Sequence, residues 1–185
     1  MKILLAVDLQ NDFVTGALGS EEAVVAARNA AEKIRREAGA GVLVIFTQDT
    51  HGEDYPLTQE GRRLPVPHCI ENTEGWRLHG GVIAAWSETP GRKIAESVIF
   101  NAVRKNTFGS RELIDFLLKL EEPPGEIEII GLCTDICVIS NALLIKAYFP
   151  ETAVGVDAAC CAGTSPQGHE NALAVMRACQ IDIKN

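Results

Sequence analysis

The chain has 185 residues, 46% hydrophobic, 23% charged and only 5% aromatic, the balance of a folded protein with an aliphatic core, which excludes a disordered chain. Acidic residues outnumber basic ones by 25 to 17, for a net charge of −8, and no basic run offsets them, so a nucleic-acid backbone would be repelled by most faces. No apolar stretch approaches the roughly 20 residues that span a bilayer, and the apolar opening stops at Asp8, too early for a secretory signal; we expect a cytoplasmic protein forming one domain over residues 1–185.

Residues 3–7 are a continuous apolar run that breaks at Asp8-Leu9-Gln10-Asn11-Asp12, which predicts a strand buried on both faces and then a polar loop. From Ser20 to Glu37 the period becomes helical, with Val24, Ala27, Ala31 and Ile34 on one stripe; Ser20 is the expected N-cap and residues 39–41 the stop. Residues 42–46 predict a second buried strand, with residues 47–51 as its exit, completing a β-α-β unit. Residues 52–75 read as a long polar loop, of a kind more often functional than idle, and residues 76–86 as a weak helix. The alternation of Val98, Phe100 and Ala102 predicts a strand over 97–104 that leads into Lys105. Residues 111–120 read as a helix stopped by Pro123-Pro124-Gly125, residues 126–132 as a strand and residues 135–148 as a helix. A strand over 152–156, a helix over 166–179 and a short strand over 181–183 complete the chain. Strands alternating with helices imply a mostly parallel sheet covered on both faces.

In open α/β sheets, ligands bind beyond the carboxyl ends of the strands. Four successive strands deliver Asp8, then Asp49 and His51, then Lys105, then Cys137 to that edge. Cys137 lies between a strand and a helix, where the helix N-terminus lowers a thiol's pKa from about 8.5 into roughly the 3.5–7.5 range and leaves N–H groups for an oxyanion. Lys105 is a cation suited to stabilising a thiolate, and Asp8 a carboxylate suited to moving its proton. Thr134 and Asp135 read as N-caps of the same helix. Asp49-x-His51 and the later His68 suggest a mononuclear site for a divalent metal, zinc first, with manganese or iron as alternatives. Glu60 is a further ligand, directly or through water, and Asp54 its fallback. Most of the other cysteines (Cys69, Cys133, Cys160, Cys161 and Cys179) read as small buried hydrophobes, and His79 and His169 carry no assigned role.

Taken in order, these residues resemble the isochorismatase-like cysteine hydrolase superfamily, and within it the nicotinamidase branch. Asp8-Leu9-Gln10-Asn11-Asp12-Phe13 resembles the opening motif with its catalytic Asp. Asp49-Thr50-His51 and residues 67–75, Pro-His-Cys-Ile-Glu-Asn-Thr-Glu-Gly, resemble the metal motifs. Lys105 with Phe108 and Ser110 is similar to the lysine motif, and Cys133-Thr134-Asp135-Ile136-Cys137-Val138 to the nucleophile motif, in which the second cysteine attacks. The resemblance implies a three-layer αβα sandwich of Rossmann-like topology, with a mostly parallel six-stranded sheet. It also implies a cis Leu132–Cys133 peptide, an oxyanion hole from the Cys133 and Cys137 N–H groups, and a homo-oligomer. The implied reaction is hydrolysis of a small amide through a Cys137 thioester, with the metal holding the pyridine nitrogen of the substrate. Leu64-Pro65-Val66-Pro67-His68 lacks the aromatic residue that many nicotinamidases place there, which leaves Phe13, Trp76 or Trp86 as ring contacts. Another small amide, or an isochorismate-like enol ether, is the alternative substrate; branches acting on the enol ether generally lack the metal histidines. A non-catalytic module has no use for the Asp8, Lys105 and Cys137 trio, and Cys133 with Cys137 departs from the usual redox spacing.

Overall fold

The structure, a computed structural model, describes residues 1–95 and 99–185. Among these, six parallel strands form one sheet in the order β3-β2-β1-β4-β5-β6. The strands are β1 (Lys2–Val7), β2 (Leu43–Asp49), β3 (Ala102–Lys105), β4 (Glu126–Leu132), β5 (Ala153–Ala162) and β6 (Asp182–Lys184). The helices are α1 (Asn11–Val14), α2 (Glu21–Gly39), α3 (Gln59–Arg63), α4 (Gly80–Ser87), α5 (Arg111–Leu118), α6 (Ile139–Tyr148) and α7 (Pro166–Ala178). Strand order reverses between β1 and β4, the place where an open sheet parts and leaves a crevice.

Side chains alternate along each strand, so the sheet has two cores. Ile3, Leu5, Val7, Ile45, Ile127 and Ile129 face α5, α6 and α7, whereas Leu4, Ala6, Val44, Phe46 and Ile130 face α1, α2 and α4. Helices on both faces are the condition under which all-parallel strands become continuous apolar runs. No helix among the described residues is long and apolar enough to cross a membrane.

Several elements depart from expectation. Ser20 does cap α2, accepting from the Ala23 N–H at 3.0 Å. The buried stripe, however, is Ala23, Ala27, Ala30 and Ile34, while Val24 is 46% exposed. Small alanines let α2 lie close to the sheet, and that close approach outweighs burial of one valine. Asp49 ends β2 rather than lying beyond it. The long loop 52–75 contains a 3₁₀ turn (Tyr55–Leu57) and α3. The strand expected over 97–104 is present only from Ala102: Phe100 and Asn101 have φ of 53° and 54°, and the buried Asn101 amide donates to the Val44 and Lys93 carbonyls. Residues 97 and 98 lie outside the described residues. Strand β5 runs on to Ala162, because Lys33 reaches the buried Asp157 at 2.5 Å and lets a carboxylate sit in mid-strand. Cys160 and Cys161 therefore belong to the strand. The helix expected over 135–148 is divided into a π turn, Thr134–Val138, and α6.

Candidate active site

Three expected site residues meet at the β1–β4 parting. Asp8 leaves β1 with φ 47° and is wholly buried; Thr47 Oγ1 donates to its Oδ1 at 2.7 Å. Lys105, the last residue of β3, places Nζ 2.7 Å from Asp8 Oδ2, 3.2 Å from Asp49 Oδ1 and 3.6 Å from Cys137 Sγ. Cys137 itself is 5% exposed on the π turn. Gly131, in β4, lets the strand reach this point: its φ is 123°, and a Cβ there would lie 2.0 Å from the Val7 carbonyl oxygen. The following Leu132–Cys133 peptide is cis, as the resemblance implies.

Electrostatics here differ from those expected of a cysteine at a helix start. Burial, then the negative charge of Asp8, push the Cys137 thiol well above its ordinary pKa; Lys105 opposes them and loses. Burial also raises Asp8, against the pull of Lys105. Lys105 itself is raised well above 10.5, because Asp8, Cys137 and Asp49 outweigh the burial that would lower it. Lys105 and Asp8 thus form a buried ion pair beside the thiol, and burial shifts that thiol in the direction opposite to the one a helix terminus favours.

Beside this trio, Asp49, His51 and His68 bring one ligand atom each within 4.8 Å of one another. His51 Nε2 lies 2.9 Å from Asp49 Oδ2, and His68 Nε2 lies 3.6 Å from the same oxygen. His68 Nδ1 donates to the Val66 carbonyl at 2.8 Å, which turns Nε2 inward as metal ligation requires. Burial tends to raise Asp49, yet its bonds to His51 and His68 and the Lys105 charge hold it well below the usual carboxylate range. Burial works against an imidazolium at His68, but Asp49 and the Val66 carbonyl outweigh it. A cluster that draws positive charge to one buried point, with two imidazoles and a carboxylate, fits a divalent ion. Glu60 Oε1 stands 3.7 Å from His51 Nε2 and 3.9 Å from His68 Nε2, at the edge of the cluster. Asp54 is exposed beside the 3₁₀ turn and takes no part.

Phe13 packs edge-on to His68 with ring centroids 5.4 Å apart. Trp86 is core, against Phe46. Trp76 donates its indole N–H to Thr50 Oγ1 at 2.9 Å and lies under the Arg104 guanidinium. Thr134 and Asp135 do not cap the helix as expected: Thr134 bonds His169, and Asp135 accepts from Thr164. The sequence reading gave no role to several supporting residues. Gln10 grips Asp49 on both sides, accepting from its N–H at 2.7 Å and donating to its carbonyl at 2.8 Å. Tyr55 packs on both imidazoles, with centroids 4.6 and 5.0 Å away. Asn141 donates to the Cys137 carbonyl at 2.8 Å and accepts from the Ser110 N–H at 2.9 Å. For Asn141 the available signal was an amide next to the apolar run Ala142-Leu143-Leu144-Ile145; Thr47, in the polar exit of β2, carried none.

Residues 2–183 match the isochorismatase domain family. The uncharacterized isochorismatase family protein PncA of Bacillus subtilis is 30% identical over 176 residues, 93% of this chain and 92% of that one. Among solved structures, the nicotinamidase/pyrazinamidase PncA from Bacillus subtilis superposes with a TM-score of 0.84 at 26% identity, covering 100% of this chain and 99% of that chain. The pyrazinamidase of Pyrococcus horikoshii, solved in complex with zinc, superposes with a TM-score of 0.77 at 25% identity, covering 98% and 97%.

Proposed function

Since the chain belongs to the isochorismatase family, we propose that it is a metal-dependent cysteine amidohydrolase that converts nicotinamide, or a similar small aromatic amide, to the acid and ammonia. The observation that carries this is the position of Lys105 Nζ, in reach of a thiol, a carboxylate and a residue of the Asp-His-His cluster at once. Relatives solved as nicotinamidase/pyrazinamidase and as a zinc-bound pyrazinamidase support the substrate class and the metal. The working unit is the whole chain as one domain, and the proposal places it in the cytoplasm as a homo-oligomer.

Asp8 takes the Cys137 proton as sulfur attacks the amide carbonyl, so the thiolate need exist only in the transition state. Lys105 offsets the charge that then develops across Asp8 and sulfur. The Cys133 and Cys137 N–H groups hold the carbonyl oxygen as it becomes an oxyanion. Asp8 returns the proton to the leaving nitrogen, ammonia departs, and a thioester remains on Cys137. Water, deprotonated by Asp8, attacks the thioester; the proton passes back to sulfur and the acid is released. Asp49, His51 and His68, with Glu60 beside them, would hold the divalent ion, zinc first, and when bound it supplies a coordination point for a ring nitrogen of the substrate. Phe13, beside His68, flanks that ring.

Ammonia release from nicotinamide by metal-replete protein, run beside Cys137→Ala, tests the reading. Wild type should turn over and the variant should lose at least about a thousandfold. Equal release by both would remove the thiol mechanism, and no release by a wild type with metal bound would remove nicotinamide.

A further inference from the structure

We infer that His169 is a positioning residue for the nucleophile turn, acting through Thr134, and that the start of α7 and the segment before it form a clamp on that turn. The inference rests on the cysteine-hydrolase reading above. The π turn Thr134–Val138 carries Cys137 and begins with two residue types that ordinarily cap a helix, yet neither closes on the turn's own N–H groups. Thr134, wholly buried, pairs its Oγ1 with His169 Nδ1 at 2.8 Å. Asp135 accepts from the Thr164 N–H at 2.9 Å and from Thr164 Oγ1 at 2.5 Å.

The contact between turn and helix is close. A Cβ on Gly168 would fall 2.2 Å from Asp135 Oδ2, and one on Gly163 would fall 2.7 Å from the His169 nitrogen. Ser165 caps α7, accepting from the Gly168 N–H at 3.0 Å, and Pro166 opens it, so the clamp is anchored on a well-started helix. The arrangement has a chemical consequence. A cap that accepted the first N–H groups of the turn would compete with the substrate oxyanion for them. The Ile136 and Val138 N–H groups already bond the Cys133 carbonyl. Turning Thr134 and Asp135 toward α7 leaves the Cys137 N–H unclaimed by either side chain while His169 and Thr164 hold the turn.

Truncation at His169 is a usable probe because the imidazole already borders a cavity of about 580 Å³ lined also by Cys161, Ser165 and Asn29. Removing the ring enlarges existing space rather than opening a hole in packed core, so folding should survive. The test compares wild type, His169→Ala, His169→Asn, Thr134→Val and the Thr134→Val/His169→Ala double variant. For each, kcat and KM are measured for ammonia release from nicotinamide, with the melting temperature and the rate at which iodoacetamide alkylates Cys137.

A turn displaced by a fraction of an ångström should cost roughly tenfold to a hundredfold in kcat for His169→Ala, with KM changed by less than about twofold. His169→Asn, which can set an amide where Nδ1 stood, should recover most of that loss. The double variant should be no slower than the slower single variant, because both remove the same link. Losses that multiply, an Asn variant as slow as the Ala variant, or a loss appearing in KM alone would overturn the inference. Should wild type release no ammonia, the substrate reading fails by itself and the clamp is judged on alkylation. There, a change of at least about threefold that Thr134→Val reproduces and does not add to upholds it, and rates equal across all variants overturn it.

Discussion

Lys105 is the residue whose removal has the largest expected effect. Its side chain has no exposed surface, and its ammonium is the counter-charge for both Asp8 and Asp49. Breaking a buried ion pair from one side leaves an uncompensated charge at a cost of about 3–5 kcal/mol. Lys105→Met should therefore lose both turnover and roughly that much stability in urea unfolding. Wild-type stability in the variant would mean that the carboxylates do not both stay ionised. The types and order of Asp8, Lys105 and Cys137 were legible in the sequence, because reactive side chains at strand ends form a pattern independent of their neighbours. The surroundings of the thiol were not. Burial and a carboxylate from another strand push its pKa up, whereas the local helix terminus points the other way.

At the scale of elements, β4 is decided at Gly131. With φ at 123° and the Val7 carbonyl 2.0 Å from any added Cβ, only glycine lets β4 run this close to the end of β1 where the site opens. Gly131→Ala should lower the unfolding free energy measured in urea by more than about 2 kcal/mol, since the added methyl meets backbone that cannot move aside. A variant unfolding like wild type would place the tolerance of this crossing elsewhere. The sequence marks β4 cleanly because Glu126-Ile127-Glu128-Ile129 alternates with the period of a strand before the apolar Ile130. It marks β5 poorly, since Asp157 reads as a strand end until Lys33 is brought against it. The buried stripe of α2 is one residue off expectation for a related reason: periodicity finds the helix, but the packing distance to the sheet selects alanines over Val24.

Across the whole molecule, a second buried charge cluster lies toward the starting half of the strands, away from the site. Glu128 is reached by Lys33 at 2.8 Å and by Lys2 and Lys184 at 3.3 Å each, so α2, β1, β4 and β6 converge on one carboxylate. Burial would raise Glu128, but Lys33 and Lys184 hold it down at about 2, below its ordinary 4.5. A depressed carboxylate stabilises the fold above its unfolded pKa and loses that stabilisation as pH falls through the folded value. Stability should therefore decline between about pH 4.5 and 2, by roughly 2–3 kcal/mol from this group. Lys33 is shifted upward by Asp157 and Glu128 against burial, so its contribution is present below 10.5 and is lost only above its raised value. Urea unfolding of wild type and Glu128→Gln from pH 2 to 7 checks this; the variant should show a flatter acid limb, and parallel curves would exclude Glu128 as the source.

By itself, the sequence determined the alternation of strands and helices, the two-sided parallel sheet, the family and the order in which reactive residues reach one edge. Each of these follows from local periodicity or from motifs a few residues long. Tertiary structure alone decided which face of α2 is buried, how far β5 runs, which charged groups surround the nucleophile and where the would-be helix caps point. Those features depend on partners distant in the chain: Lys33 and Asp157 are 124 residues apart, Lys105 and Cys137 are 32 apart, and Thr134 and His169 are 35 apart. Charge and hydrogen bonding in a dry interior are set by whichever group the fold brings near.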